Sequence, residues 1–338
     1  MVKLLLSFGG PASPSSRALR VVCRLGALVL AAALVTPVTA RAQSAPPAPM
    51  GPTEDPADTA RVRIGPLFMQ PTFGLKNVGI DNNVFNDPEN PEKDWTATAN
   101  LGMLAGLRFG PARLTMKTST DYVWYSQFKS ERAIDGVTRY QFELRSPRIR
   151  PWIAYEKTKS HERPGFEIDG RVGRVVPVYE AGLEYKVGYR LGTRLLARQR
   201  KVAYDELDRE DGVVLADTLD NTSRDGSVQL LYELSPLSSL RFSAEVNQVR
   251  FRKATRRDAD DLSFLIGLEG RQGAGLEGTV DVGWKERKSL DSSAPSFSGV
   301  IVRGSAAIIL FEQVRVAFGV DRDPVWSYEE FYSFYVQS

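Results

Sequence analysis

The stretch YEAGLEYKVGYR, residues 179–190, decides the fold. Tyr179, Ala181, Leu183, Tyr185, Val187 and Tyr189 take every second position, and Glu180, Glu184, Lys186 and Arg190 stand between them. A period of two is the signature of a β-strand, whose successive side chains leave opposite faces. The same alternation recurs along the chain. Leu114, Met116, Thr118, Thr120, Tyr122 and Trp124 alternate with Arg113, Lys117, Ser119 and Asp121. Leu240, Phe242, Ala244 and Val246 alternate with Arg241, Ser243, Glu245 and Asn247. Val280, Val282 and Trp284 follow the same rule against Glu277, Asp281 and Lys285, as do Val314, Val316, Phe318 and Val320 against Arg315 and Asp321. In Thr193–Tyr204, which carries Arg194, Arg198, Arg200 and Lys201, the two faces are ambiguous.

These segments run about 10–16 residues, whereas strands of soluble domains cluster near ~5–6. A tilted strand crossing a bilayer needs ~9–11 residues. The connections point the same way. Tight turns are expected at Gly110-Pro111, Ser146-Pro147, Leu191–Thr193, Ser235-Pro236, Gln272–Gly275 and Glu312-Gln313. Longer polar loops fall between them, at Asp81–Lys93, Lys129–Gly136, Lys157–Arg174, Asp205–Asp225, Arg252–Asp261, Glu286–Ser296 and Arg322–Val325. Short and long connections alternate strictly, as they do in outer-membrane barrels. Residues 64–338 therefore read as an all-β, antiparallel up-and-down transmembrane β-barrel of about 14 strands. The apolar sets would face lipid, and Trp95, Trp124, Tyr155, Tyr204, Trp284, Trp326 and Tyr328 fall near strand ends, where an interfacial girdle lies.

The N-terminus reads as an export signal. Five of the 44 basic residues and none of the 41 acidic ones lie in residues 1–42, so the remainder of the chain carries a small acidic excess rather than the formal +3. No basic field is left to attract nucleic acid. Leu25–Val38 is an apolar run, too short for a comfortable membrane anchor, and Ala40-Arg41-Ala42 places small residues before a cleavage site at Gln43. Residues 43–63 are a Pro- and Ala-rich periplasmic lead-in. The single cysteine, Cys23, falls inside the signal, so the exported chain has neither thiol nor disulfide.

Ile80-Asp81-Asn82-Asn83-Val84-Phe85 resembles the opening signature of a family of porin-like outer-membrane β-barrels. Gly319-Val320-Asp321-Arg322-Asp323-Pro324-Val325-Trp326-Ser327-Tyr328, followed by Tyr332 and Tyr335-Val336, is similar to a late motif of the same family. The resemblance spans roughly Leu67 to the end and implies a fold and an outer-membrane location in a Gram-negative bacterium more than a substrate. Some relatives lie near exopolysaccharide-export genes, which implies polysaccharide-export proteins as alternative partners. Barrel chains usually end on a strand whose last residue is aromatic, the signal read by the barrel-insertion machinery, whereas this one ends Phe334-Tyr335-Val336-Gln337-Ser338. In similar chains further hairpins follow the Trp-Ser-Tyr strand, so a full-length barrel of about 16–18 strands is expected, the rival reading being a 14-strand barrel with an atypical end.

Catalytic chemistry finds little support. His161, the only histidine, stands between Ser160 and Glu162 in a polar segment and reads as a solvated loop residue, because sequence neighbours rarely adopt triad geometry. With no cysteine and no second histidine in the exported chain, no metal site and no cofactor are expected. Gly273-Ala274-Gly275-Leu276-Glu277-Gly278 matches a dinucleotide pattern but opens a strand instead of a helix, so it reads as a turn. The acidic run Asp205–Asp225 lacks calcium-loop spacing, and Asn82 and Asn83 read as turn formers. Function then rests on the lumen. Its expected lining is Arg113, Lys117, Asp121, Glu180, Glu184, Lys186, Arg241, Glu245, Glu277, Asp281, Lys285 and Arg315, of mixed sign. The reading is a porin-like channel for passive diffusion of small polar solutes, in contact with outer-membrane lipid and lipopolysaccharide. The alternatives are an export component, or a structural or adhesive barrel with an occluded lumen.

Overall fold

The computed structural model describes residues 5–6, 60–87, 89–163, 167–168, 170–210, 212–270, 276–310, 314–329 and 334–337. Thirteen long strands follow one another: β1 Leu67–Asp81, β2 Asp94–Phe109, β3 Ala112–Tyr125, β4 Ala133–Leu144, β5 Ile149–Glu162, β6 Val172–Lys186 and β7 Leu191–Tyr204. After the one described α-helix, α1 (Leu215–Leu219), come β8 Asn221–Ser235, β9 Ser238–Phe251, β10 Ala259–Gly270, β11 Leu276–Ser289, β12 Phe297–Leu310 and β13 Val314–Trp326. Each strand is hydrogen-bonded to its sequence neighbours, antiparallel throughout, which is an up-and-down meander. Val62–Ile64 adds a short strand beside β1, and Phe334–Gln337 pairs with Asp323–Trp326 of β13. Of residues 1–42 only Leu5–Leu6 is described, paired with Arg315 and Val314. The edges β1 and β13 are not hydrogen-bonded to each other, so the sheet does not close on itself.

Strand lengths of 12 to 16 residues match the expectation from the alternation. Short connections at Gly110-Pro111, 145–148 and 236–237 alternate with long ones, while 271–275 and 311–313 lie outside the described residues. Several boundaries differ. The turn expected at Leu191–Thr193 sits earlier, where the Val187 amide bonds the Leu191 carbonyl. The loop expected at Lys157–Arg174 is shorter, because β5 runs on through Glu162 and pairs with β6 as far as Val172. Arg322–Val325 is not a loop but the end of β13. In the last two cases the backbone ladder extends past the point where apolar alternation stops; at the first, the alternation through Val187 and Tyr189 runs past the ladder, which ends at Lys186.

One register shift marks β1, between Lys76 and Gly79, where Asn77 adopts φ 50°. Asparagine is among the few residues that tolerate this left-handed conformation, so the bulge falls where the sequence can absorb it.

The polarity of the sheet is inverted relative to a soluble domain. Phe73, Leu101, Ile153, Phe264 and Trp284 are each more than half exposed, while Arg194, Glu269, Arg287 and Asp281 are buried. Arg194 of β7 reaches Glu269 of β10, and Arg303 of β12 reaches Glu245 of β9, each over two intervening strands. Strands lie ~4.8 Å apart, so on a flat sheet these backbones would stand about 14 Å from each other. The contacts require a sheet curled around its charged face. That face is inner, and the apolar face is outer.

Candidate functional site: the inner face and the loop-side mouth

Strand parity places the expected lining residues, and Arg113, Lys117, Asp121, Glu180, Glu184, Lys186, Arg241, Glu245, Glu277, Asp281 and Lys285 share the inner face. The Arg315 side chain lies outside the described residues. Arg113 turns back to donate to the Gly110 and Ala112 carbonyls, tying down a turn. Asp121 pairs with Lys76 at 2.9 Å, Glu180 with Arg139 at 2.6 Å and Lys186 with Glu233 at 3.6 Å. Lys117 stands exposed on the inner face.

Between β6 and β13 the pairs merge into chains. Arg194 donates to Glu184 at 2.8 Å and to Glu269 at 3.1 Å; Glu269 also accepts from Arg241, which bridges on to Asp281. A second chain runs from Glu245 to Arg303 at 2.9 Å, then to Asp323 at 2.6 Å, and from Asp323 through Lys285 to Asp261. Arg287 closes it with two 2.8 Å bonds to Asp261. Arg194, Arg139, Asp261, Arg287 and Asp323 were not anticipated as lining. Arg194 sits in the ambiguous segment, and Asp261, Arg287 and Asp323 fall within stretches that read as loops. For Asp261, Arg287 and Asp323 the signal is present in the period-two spacing from Glu269, Lys285 and Asp321.

The mouth on the loop side has its own apolar core. Leu215, Ala216 and Leu219 of α1 pack with Ile168, Val172, Tyr204 and Tyr328, with Trp326 and Val202 against them. Tyr204, Trp326 and Tyr328 thus belong to this cluster, not to a girdle, whereas Trp95 and Trp284 are exposed on the outer face as expected. Arg257, between β9 and β10, donates to the Ser327 carbonyl, to that of Tyr328 at 3.3 Å and to that of Glu329 at 2.6 Å. Glu167 accepts the Tyr328 amide at 3.2 Å. Three loops distant in sequence are therefore laced across one another.

Both motifs that carry the family resemblance serve this end of the molecule. Asn83 clamps its loop by bonding the Asp87 carbonyl at 2.8 Å and accepting the Asp87 amide at 3.0 Å, the turn-forming role expected of it. Val84 is fully buried, and its carbonyl accepts from Arg163. In the late motif, Asp323 is the junction of Lys285 and Arg303. The acidic run is occupied likewise. Asp208 accepts the Gly173 amide, Asp220 accepts that of Tyr204 at 2.8 Å, and Asp217 pairs with Lys253 at 2.6 Å. Burial pushes the Asp220 carboxyl above the usual range, against the Tyr204 amide and the Arg252 guanidinium, which draw it down.

No group of three or more metal-ligating side chains comes together among the described residues. His161 is not in a loop but in β5, opposite Gly173. Alternation puts its imidazole on the outer face and Ser160 and Glu162 on the inner one, so the three cannot form a triad. Gly273 and Gly275 lie outside the described residues, and Gly278 belongs to β11.

A long-stranded antiparallel meander with an apolar outer face and a charged, ion-paired inner face is the wall pattern of a transmembrane β-barrel. Residues 178–323 match the protein-family model described as Putative beta-barrel porin 2, which bears out the family resemblance over β6 to β13. The match takes in Asp321 and Asp323 of the late motif but not the Ile80–Phe85 stretch. No curated protein and no solved structure matches the chain.

Proposed function

We propose that this chain is exported through its N-terminal signal to the outer membrane, where the sheet closes as a barrel and admits small polar solutes by passive diffusion. The inverted polarity carries the reading: an exposed apolar face has a solvent only in lipid, and an inner face lined with charged side chains, Lys117 among them exposed, suits a polar interior. The mixed signs of the lining favour polar solutes without strong discrimination by charge.

The test is single-channel conductance of the full-length chain, extracted from outer membranes and inserted in a planar bilayer. Discrete steps that scale with salt support an open pore. Inserted but silent protein would move the assignment to a barrel with an occluded lumen, a second reading favoured by the laced loops and by ion pairs that span several strands.

A further inference from the structure

We infer that the outer face of β5–β8 holds a phosphorylated glycolipid of the loop-side leaflet, through Lys157, Lys159, Lys201 and Arg224. The inference rests on the membrane-barrel reading above.

Toward the loops, the outer face changes from apolar to charged. On β5, Ile149, Ile153 and Tyr155 give way to Lys157 and Lys159; on β7, Leu195 and Ala197 give way to Gln199 and Lys201. Tyr155 and Tyr179 pack at 5.1 Å just below this change, where aromatic rings mark a membrane interface. The four cations are exposed. Lys157 pairs with Pro177, and the adjacent pairing of Val178 with Arg200 sets Lys201 on the other side of that proline. Arg224 follows on β8, opposite Gln199, to which it donates at 3.4 Å. All four lie within three strand spacings, about 15 Å.

Their sign sets them apart. No outer-face position of β5–β8 carries an acid. Farther round the rim the charges cancel: Arg250 bonds Asp260 at 2.7 Å, and Glu286 accompanies Lys288 on β11. A local cationic excess directly above lipid tails fits the phosphates of a lipid headgroup, whose tails would lie along the apolar face below.

The test measures binding of lipid A carrying both phosphates, and of the same lipid with both removed, to the full-length protein in detergent by native mass spectrometry. The wild type should prefer the phosphorylated lipid at least tenfold. Replacing Lys157, Lys159, Lys201 and Arg224 together by alanine should abolish the preference, and Lys288→Ala with Arg322→Ala should leave it intact. Equal binding of both lipids by the wild type, or a preference surviving the fourfold change, overturns the inference. Heat-dependent gel migration reports folding. If the fourfold variant does not fold, Lys201→Glu alone must reduce the preference severalfold. A wild type that neither inserts in liposomes nor shows the migration shift would refute the barrel itself, a failure distinct from folded protein that ignores phosphate.

Discussion

Removing the Glu269 carboxylate tests whether the inner face behaves as a core. Glu269 accepts from Arg194 at 3.1 and 3.4 Å and from Arg241 at 3.4 Å. The Glu269 and Arg194 side chains are only 3% and 6% exposed, so water cannot replace what the change removes. Breaking one partner of a buried pair costs about 3–5 kcal/mol. Arg194 keeps Glu184 and Arg241 keeps Asp281, which places Glu269→Ala near the lower end, about 3 kcal/mol, more than a hundredfold in the folding equilibrium. Lys76→Ala is the reference, because the Lys76–Asp121 pair is 47% and 29% exposed and such pairs contribute about 0–1 kcal/mol. Urea titration of protein refolded in micelles, followed by heat-dependent gel migration, measures both. Adding Arg194→Leu to Glu269→Leu should recover part of the loss, since an apolar pair can replace a buried ionic one. If Glu269→Ala costs no more than Lys76→Ala, the interior there is hydrated and the pairs are ornaments of a wet wall.

Four further outcomes follow. Phe264→Arg, on the outer face, should cost about 2–4 kcal/mol in lipid and almost nothing in a water-soluble fold, as read by refolding yield into liposomes. Gly182→Ala should destabilise by about 1–3 kcal/mol, because the new Cβ would overlap the Trp152 indole opposite it, and Trp152→Leu should relieve the loss; urea midpoints check both. Asp220 has its folded pKa raised above the unfolded value, so it opposes folding above that pKa and the penalty fades as pH falls toward 4. Asp220→Asn keeps an acceptor for the Tyr204 amide and should raise the neutral-pH urea midpoint while flattening its rise toward pH 4. Lys117→Glu, an inner-face change at an exposed side chain, should shift the reversal potential of an open channel toward cations.

Much of the fold is legible in the sequence because strand alternation is local. Leu114 and Lys117 take opposite faces whatever the rest of the chain does, and the faces read for β3, β9 and β11 stand, as do those of β6 up to Lys186, while Val187, Tyr189 and Arg190 belong to the turn. Arg194, Arg198 and Arg200 could not be assigned that way. What orients them is a partner in another strand: Asp225 lies opposite Arg198 in the β8 register and bonds it at 3.1 Å. Strand ends were misread for a different reason. Apolar alternation stops before the backbone ladder does, so Asp261, Arg287 and Asp323 look like loop residues. Nor could α1 be foreseen, since five residues are too few to show a helical period. Tyr204 and Trp326 sit near strand ends like any girdle aromatic, and only tertiary packing turns them inward.

The distribution of the pairs bears on where a solute would pass. The inner face of β7–β13 is laced by Arg194–Glu269, Arg241–Asp281, Lys285–Asp323 and Arg303–Glu245, and its mouth is covered by α1 and the segment that Arg257 holds. The inner face of β1–β3 mixes short neutral side chains such as Thr72, Thr98, Asn100, Thr115 and Ser119 with Lys76, Arg108, Arg113, Lys117 and Asp121, and Lys76 pairs with Asp121 across β2. On the membrane reading the outer face is given to lipid, so the inner face must hold the curvature, and bridges that skip strands supply it. The same bridges fill the space they span. On the proposed channel reading, curvature and passage would compete for one surface, and the bridges that reach across whole strands between buried partners gather on β7–β13. On this reasoning Lys117→Glu, at an exposed inner-face side chain of β3, should alter the selectivity of an open channel, whereas Glu269→Ala should alter stability first.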